Sequence, residues 1–523
     1  MMRESSTAHL VGGGIASLSA AVYLIREGFA GRDVHVYEEL DVLGGSLDGG
    51  GDRDRGYVLR GGRMFNFSYV CTYDLLSHIP SIDDPSKTVR DDFIEFNERV
   101  KTHANARLVA GGKVLDVSSM GFRMKDRLDL IKVVLASEAD LGRQRISDCF
   151  EPEFFQEEFW LMWATMFGFQ PWHSAVEFRR YLYRFVHEFP RINTLAGVDR
   201  SPYNQYDSVV LPIAAWLKSQ GVQFHPQTQV TNLGFREAEG GTIVERIHLV
   251  ESGATREIPV SEHDLVIVTN GSMTAASTLG SQHAVPELDR RKPVDWTLWE
   301  NLARGRDDFG NPSVFDDHVD ESFWESFTVT CRDPLMFRLL EDFTGNAPGT
   351  GALVTIKDSS WLMSIVVAYQ PHFRNQPEDV QVFWGYGLFT DKPGDHVSRT
   401  MSDSTGADIL TELCTHLGIA DHLPRILETC TCIPCKMPYI TSQFLVREAG
   451  DRPRVVPEGS VNLAFIGQFC ELPEDTVFTV EYSVRAAMTA VYGLLGLEKE
   501  PPALYHGWLD PRVLARALET LFT

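Results

Sequence analysis

Residues 8–17 read AHLVGGGIAS and residues 33–38 read DVHVYE. The first run is a short apolar strand, a turn of three adjacent glycines, and the start of a helix. Its apolar residues Ile15, Leu18, Ala21, Val22 and Ile25 recur at helical spacing, which predicts a helix over 15–28. The second run is a strand that closes on acid. Gly12 and Gly14 occupy the first two positions of G-x-G-x-x-G, and Ser17 stands at the third. The first glycine permits a tight turn, the second lets backbone approach a pyrophosphate, and a small third residue keeps helix close to strand. The helix start, with Ile15 and Ala16, then offers N–H groups and its dipole to phosphate. Glu38, 24 residues after Gly14, is placed to accept from a ribose hydroxyl. Strand, turn, helix, strand and acid in this order predict a Rossmann-like dinucleotide-binding lobe in an α/β protein.

Three further stretches favour FAD over NAD. ELDVLGGSLDG (39–49) follows the acid with a second glycine pair, bringing Glu39, Gly45 and Ser46 toward the cofactor. VLRGGRMFNFSYV (58–70) comes next: Gly61 and Gly62 permit close backbone approach, and Arg60 or Arg63 can meet phosphate or ring oxygens. The bland alternative is a surface turn with two solvated arginines. NLAFIGQF (462–469) adds a late strand and turn carrying Gly467 and Gln468. A cofactor touched from both chain ends suits the long FAD molecule.

The 523 residues allow two or three domains, and 43% hydrophobic content supports large cores. A formal charge of −24, from 72 acids and 48 bases, argues against nucleic acid and against polybasic docking to anionic lipid. No stretch reaches the ~20 apolar residues of a membrane span. Residues 9–25 resemble a signal-peptide core superficially, but the glycines and the acid-terminated strand favour a nucleotide turn. Eight cysteines are too sparse for a disulfide scaffold, so a reducing, cytoplasmic compartment is expected. CTCIPC (430–435) lacks a fourth ligand close behind it and reads as buried thiols, with no metal.

Strands and helices alternate without repeats. The FAD lobe is expected over 1–70, 201–290 and 456–495, and the substrate lobe over 71–200 and 291–455. Residues 151–189 hold thirteen aromatics and read as helices lining an apolar space, or as an ordinary aromatic core. A helix is expected at 209–217, a β-rich excursion at 222–268 and strands within 352–390. A strand, turn and helix close the lobe over 462–490. The segment 496–523 ends in an amphipathic helix (Leu509, Val513, Leu514, Leu518, Leu521, Phe522) that could pack on the body or touch lipid peripherally.

Taken together, the chain resembles the oleate hydratase family, also called myosin-cross-reactive antigens. The matching text is EELDVLGGSLDG, GYVLRGGR, FWLMWATMFGF, WHSAVEFRRYLYRFVHEF, YNQYDSVVLP, DLVIVTNGS, DSSWLMS, FWGYGLF, IPCKMPYITSQFL and NLAFIGQF…DTVFTVEYSVR, in family order over nearly the whole chain. The resemblance implies an FAD-binding lobe, a substrate lobe and a helical C-terminal part. It extends the cofactor contacts to Asn270, Gly271, Ser272 and Thr479. It implies addition of water to the cis-9 double bond of oleic acid, giving 10-hydroxystearic acid, with FAD present and no net redox. Tyr181 in RRYLYRF matches the family's proton donor; a hydrogen-bonded core tyrosine is the plainer reading. Gln205 in YNQY matches a substrate-orienting position.

The chain departs from the family at three points. Many relatives read RGGRE, with the glutamate activating water; here that slot is Met64, and a thioether takes no proton at neutral pH. Where relatives carry a Thr-x-Asn pair near the fatty-acid carboxylate, this chain has Val366 and Ala368. The N-terminal extension that often joins dimers is missing before the first strand, so a monomer or homodimer is expected. A flavin oxidoreductase on an apolar substrate, or a non-catalytic lipid- or flavin-binding protein, are the alternatives.

Overall fold

The structure is a computed structural model that describes residues 6–238 and 241–522; Met1, on which the missing extension was read, lies outside them. Ala8–Val11 is buried along its length and sits in the middle of a five-stranded parallel sheet. Across that sheet the order is Leu463–Ile466, Leu265–Thr269, Ala8–Val11, Val34–Tyr37, Gln223–His225. Continuous apolar strands such as LVIVT and LAFI suit a parallel sheet covered on both faces. Helix Ile15–Arg26 leaves the first strand and packs beside Val480–Leu495. It ends two residues earlier than the spacing predicts, because Gly28 turns the chain at φ +99°. The strand order reverses beside Ala8–Val11, and a crevice opens at the carboxyl ends of the strands there.

A second, mostly antiparallel sheet of eight strands carries the other half of the molecule. Its centre is Trp324–Cys331, flanked by Gln381–Gly387 and Cys430–Met437. The excursion after residue 222 is a three-stranded antiparallel sheet, Thr228–Ala238, Gly241–Glu251 and Ala254–Pro259. The expected helix at 209–217 begins as a π-turn at Tyr206–Val210 and continues as Leu211–Ser219. The aromatic-rich run forms helices Glu158–Phe167 and Ala175–Arg184. Most of its rings are core, packed edge to face, as Phe169 is on Tyr181 at 4.9 Å. CTCIPC is a strand segment whose three thiols are buried and free.

The C-terminal helix Pro511–Phe522 packs on the body through one part of its apolar face. Ala517 and Leu521 are buried against the body, while Leu514, Leu518 and Phe522 face outward. Among the described residues, no helix is long and apolar enough to cross a membrane.

Candidate active site

The crevice at the strand ends is a cavity of about 600 Å³. Gly12 turns the chain out of the first strand at φ +98°, and a Cβ there would meet Thr269 Cβ at 3.2 Å. The second glycine-rich turn crosses against the first. Gly44 N–H donates to Gly13 C=O at 2.9 Å, and a Cβ on Gly45 would lie 3.3 Å from Gly14 Cα. The two turns, with Ile15, Ala16 and Ser46, leave backbone as the wall of the cavity. Glu38 lines it; its carboxylate accepts from Gly13 N–H at 2.6 Å and Leu40 N–H at 2.9 Å. Burial pushes the Glu38 carboxyl up, partly offset by those two bonds.

Other expected cofactor residues divide by what they touch. Glu39, Gly271, Ser272, Gly467 and Gln468 line the cavity. Ser17 instead bonds Thr269 through its hydroxyl at 3.1 Å, which seats the helix on the strand. Asn270, between two lining residues, is fully buried with both amide atoms unpartnered. A buried amide left so is costly unless a ligand completes it. The glycine cradle, the acid and this orphaned amide fit a dinucleotide-type cofactor. Asp295 also lines the cavity; burial, with Glu39 and Glu38 adding to it, pushes its carboxyl up to about 7.

A second, tighter pocket of about 90 Å³ adjoins the first at Arg60, which lines both. The turn Arg60–Met64 forms one wall, and Tyr181, Phe167, Trp324 and Trp384 face it. Gly62 is required: a Cβ there would stand 2.3 Å from the Trp384 ring. Arg60 pairs with Asp48 at 2.9 Å. Among the described residues, the Arg63 side chain reaches only the Gly61 and Gly62 carbonyls at 3.4 and 3.5 Å, the Met273 sulfur at 3.8 Å and the Phe478 ring at 5.2 Å. Burial draws its pKa down to about 10, with Tyr181 acting in the opposite sense.

Tyr181 is fully enclosed, and its hydroxyl donates to Val477 C=O at 2.6 Å. Burial, then Tyr69 and the acids Glu177 and Asp475, raise its pKa well above the ordinary phenol value; Arg63 lowers it. Thr479 lines the pocket and caps helix Val480–Leu495, its hydroxyl accepting from Tyr482 N–H at 3.1 Å. Met64 lines the pocket, where the ionisable groups are Arg60, Arg63, Tyr69, Tyr181 and Tyr386 and no carboxylate. Gln205 lies outside the lining: its amide donates to Arg63 C=O at 2.8 Å and fixes the turn. Val366 and Ala368 are buried outside the lining as well; Leu353 and Trp384 contribute from nearby.

Sequence reading missed Trp324, Ser326, Trp384, Tyr386 and Tyr69 as pocket residues. Strand alternation holds the signal for four of them, because residues two apart share a face. Ser326 is registered opposite Tyr386, and the Trp324 and Tyr386 rings stack at 4.9 Å.

A profile of the MCRA family matches residues 5–492. The chain is 40% identical to oleate hydratase of Streptococcus pyogenes serotype M49 (strain NZ131), over 98% of this chain and 89% of that one. The chain belongs to the MCRA family. This MCRA protein is also 33% identical to linoleate hydratase of Lactiplantibacillus plantarum, over 99% of this chain and 98% of that one. With these relatives, the MCRA chain is an enzyme of the hydro-lyase class. Solved structures share the fold alone. An oxidoreductase from Methanosarcina mazei has TM-score 0.52 at 11% identity, covering 92% of the MCRA chain and 99% of its own. A putrescine oxidase bound to putrescine gives TM-score 0.52 at 13% identity, covering 94% and 99%.

Proposed function

We propose that this chain is a fatty-acid hydratase that adds water across the cis-9 double bond of oleic acid to give 10-hydroxystearic acid, with FAD bound and no net redox. One juxtaposition supports the reading. The glycine-lined cavity and the aromatic-lined pocket meet at Arg60, and Tyr181 and Met64 face the pocket together. The backbone of Gly12, Gly14 and Gly45 would hold the pyrophosphate, Glu38 the ribose, and Arg60 with Arg63 the far end. When bound, FAD would supply a fixed electrostatic field beside the alkene. Membrane contact through Leu514, Leu518 and Phe522 would bring the enzyme to its apolar substrate.

An isolated alkene is a poor base, so its protonation needs an acid held against it where water is scarce. Tyr181 keeps its proton at neutral pH, since its pKa is raised. Delivery requires the hydroxyl to turn from Val477 C=O, and the phenolate left behind faces Arg63. Met64 cannot deprotonate water. A carbocation-like centre is a strong electrophile, so water needs only to be oriented. Trp324 lines the pocket, its Nε1–H has no partner among the described residues, and it would supply a donor for that task. The proton that water then releases balances the one Tyr181 gave up.

Incubation with oleate, FAD and a reductant in deuterated water tests this. A hydratase gives hydroxystearate carrying one carbon-bound deuterium, without stoichiometric use of reductant. Consumption of oxygen or another acceptor in step with product would make it an oxidoreductase. Met64 favours one further reading, lipid and flavin binding without turnover, which would return the oleate unchanged.

A further inference from the structure

Arg63 carries a charge that the protein does not balance. Glu325, between the lining residues Trp324 and Ser326, has neither oxygen bonded, and burial raises its pKa well above the ordinary carboxyl value, which favours its neutral form. Other carboxylates around the tight pocket are engaged. Asp48 holds Arg60 at 2.9 Å, Glu177 holds Arg447 and Arg452 at 3.0 Å each, and Asp475 holds Arg485 at 3.1 Å and Arg184 at 3.5 Å. The other titratable groups facing the turn are the phenols of Tyr69, Tyr181 and Tyr386, all raised by burial and therefore neutral. No carboxylate among the described residues comes within ion-pair distance of Arg63, which touches carbonyls, a thioether and a ring. At neutral pH it is still a cation, and a cation withdrawn from water without a counter-charge is costly. Its position explains what could relieve that cost. Met273 belongs to the wall of the large cavity, and Phe478 to the wall of the tight pocket, so the guanidinium spans the boundary between them.

We infer that Arg63 takes its counter-charge from the bound cofactor, and that Met64, by withholding a carboxylate from this turn, leaves the chain holding reduced flavin as its anion. This rests on the flavin reading above. Arg63 would hold its one positive charge against one negative charge on the reduced ring, whose proton would have gone to solvent. No electron moves in that step. Because the reduced form is the one stabilised, the bound flavin is also easier to reduce. A glutamate after Arg63 would compete for the same guanidinium.

The test uses the full chain loaded with FAD and reduced anaerobically with dithionite. The absorbance of the reduced flavin is followed against pH, and its midpoint potential is read by dye equilibration. Parent, Met64→Glu, Met64→Gln and Arg63→Gln are compared at equal flavin occupancy. Met64→Glu should move the anion-to-neutral transition upward by about one pH unit or more and lower the potential, since an opposite charge within a few ångströms shifts a titration by ~1–3 units. Met64→Gln, of similar size and no charge, should stay with the parent, and Arg63→Gln should follow Met64→Glu. Coincident curves for parent, Met64→Glu and Met64→Gln would overturn the inference while leaving the flavin reading intact. If Arg63→Gln fails to take up flavin, the two Met64 variants decide alone, since both keep Arg63. A parent that takes up no flavin overturns both readings.

Discussion

On the reading proposed above, Met64 separates two tasks that one glutamate would combine, balancing Arg63 and accepting a proton from water. Restoring the acid should therefore change turnover as well as the flavin. Met64→Glu is expected to raise hydration of oleate by roughly tenfold or more, within the range for a positioned base, measured as hydroxystearate formed per bound flavin. Tyr181→Phe removes the phenol and leaves Val477 C=O without its donor. It should cut turnover by about 10²-fold or more while flavin absorbance is retained. The Met64 substitution was legible because the surrounding RGGR text is distinctive. The need for glycine at 62 was not, because the clashing ring belongs to Trp384, whose approach depends on the folded sheet. Gln205 shows the same limit: the resemblance matches it to a substrate-orienting position, and only the fold shows that its amide donates to Arg63 C=O.

At the scale of elements, two joints hold the cofactor lobe together. Glu481, buried in helix Val480–Leu495, accepts from the N–H groups of Cys71 and Thr72 at 3.0 and 2.8 Å. These are free donors at the start of helix Val70–Leu76, and Arg485 completes the carboxylate at 3.0 Å. Glu481→Leu should cost about 3 kcal/mol by denaturant unfolding, because it strands both donors and a buried arginine. The second joint is a ladder of imidazoles across three parallel strands. His9 and His35 stack at 5.7 Å, His35 and His225 at 5.2 Å, and His9 Nδ1 meets the Tyr37 hydroxyl at 2.9 Å. Burial first, then His35, lowers the His9 pKa from 6.5 to about 4. The folded value lies below the unfolded one, so the neutral ring's contribution is complete above pH 6.5 and is lost as pH falls toward 4. That loss is about 3 kcal/mol. His9→Gln should flatten the fall in stability over this window, read from urea midpoints at successive pH values. The strands themselves were legible from apolar runs, but which histidines stack follows from strand order, which periodicity does not encode.

For the whole molecule, the opening strand, glycine turn, helix, second strand and acid, taken in order, were enough to place a parallel sheet and a cofactor crevice, because few other arrangements use that succession. Text spread along the chain extended this to the second lobe. What stayed hidden was the closeness of the two cavities, since Arg60 joins them only when the strand Trp324–Cys331 lies beneath the turn. The outward residues of the last helix set a further expectation. Leu518→Glu with Phe522→Glu should weaken co-sedimentation with zwitterionic lipid vesicles at least tenfold, by removing apolar area worth ~1.5–3 kcal/mol per side chain. Hydration of detergent-dispersed oleate should be unchanged.

The sheet order has a consequence for biosynthesis. Leu265–Thr269 is paired on one side with Ala8–Val11 and on the other with Leu463–Ile466, and helix Val480–Leu495 covers the joint. A nascent chain therefore makes the glycine turn at Gly12 long before Leu463–Ile466, the strand that finishes the seat it belongs to, has emerged from the ribosome. Until then the apolar edge of Leu265–Thr269 is unsatisfied and open to wrong partners. Slowing translation or supplying a chaperone late in synthesis should raise the yield of competent protein more than adding cofactor early.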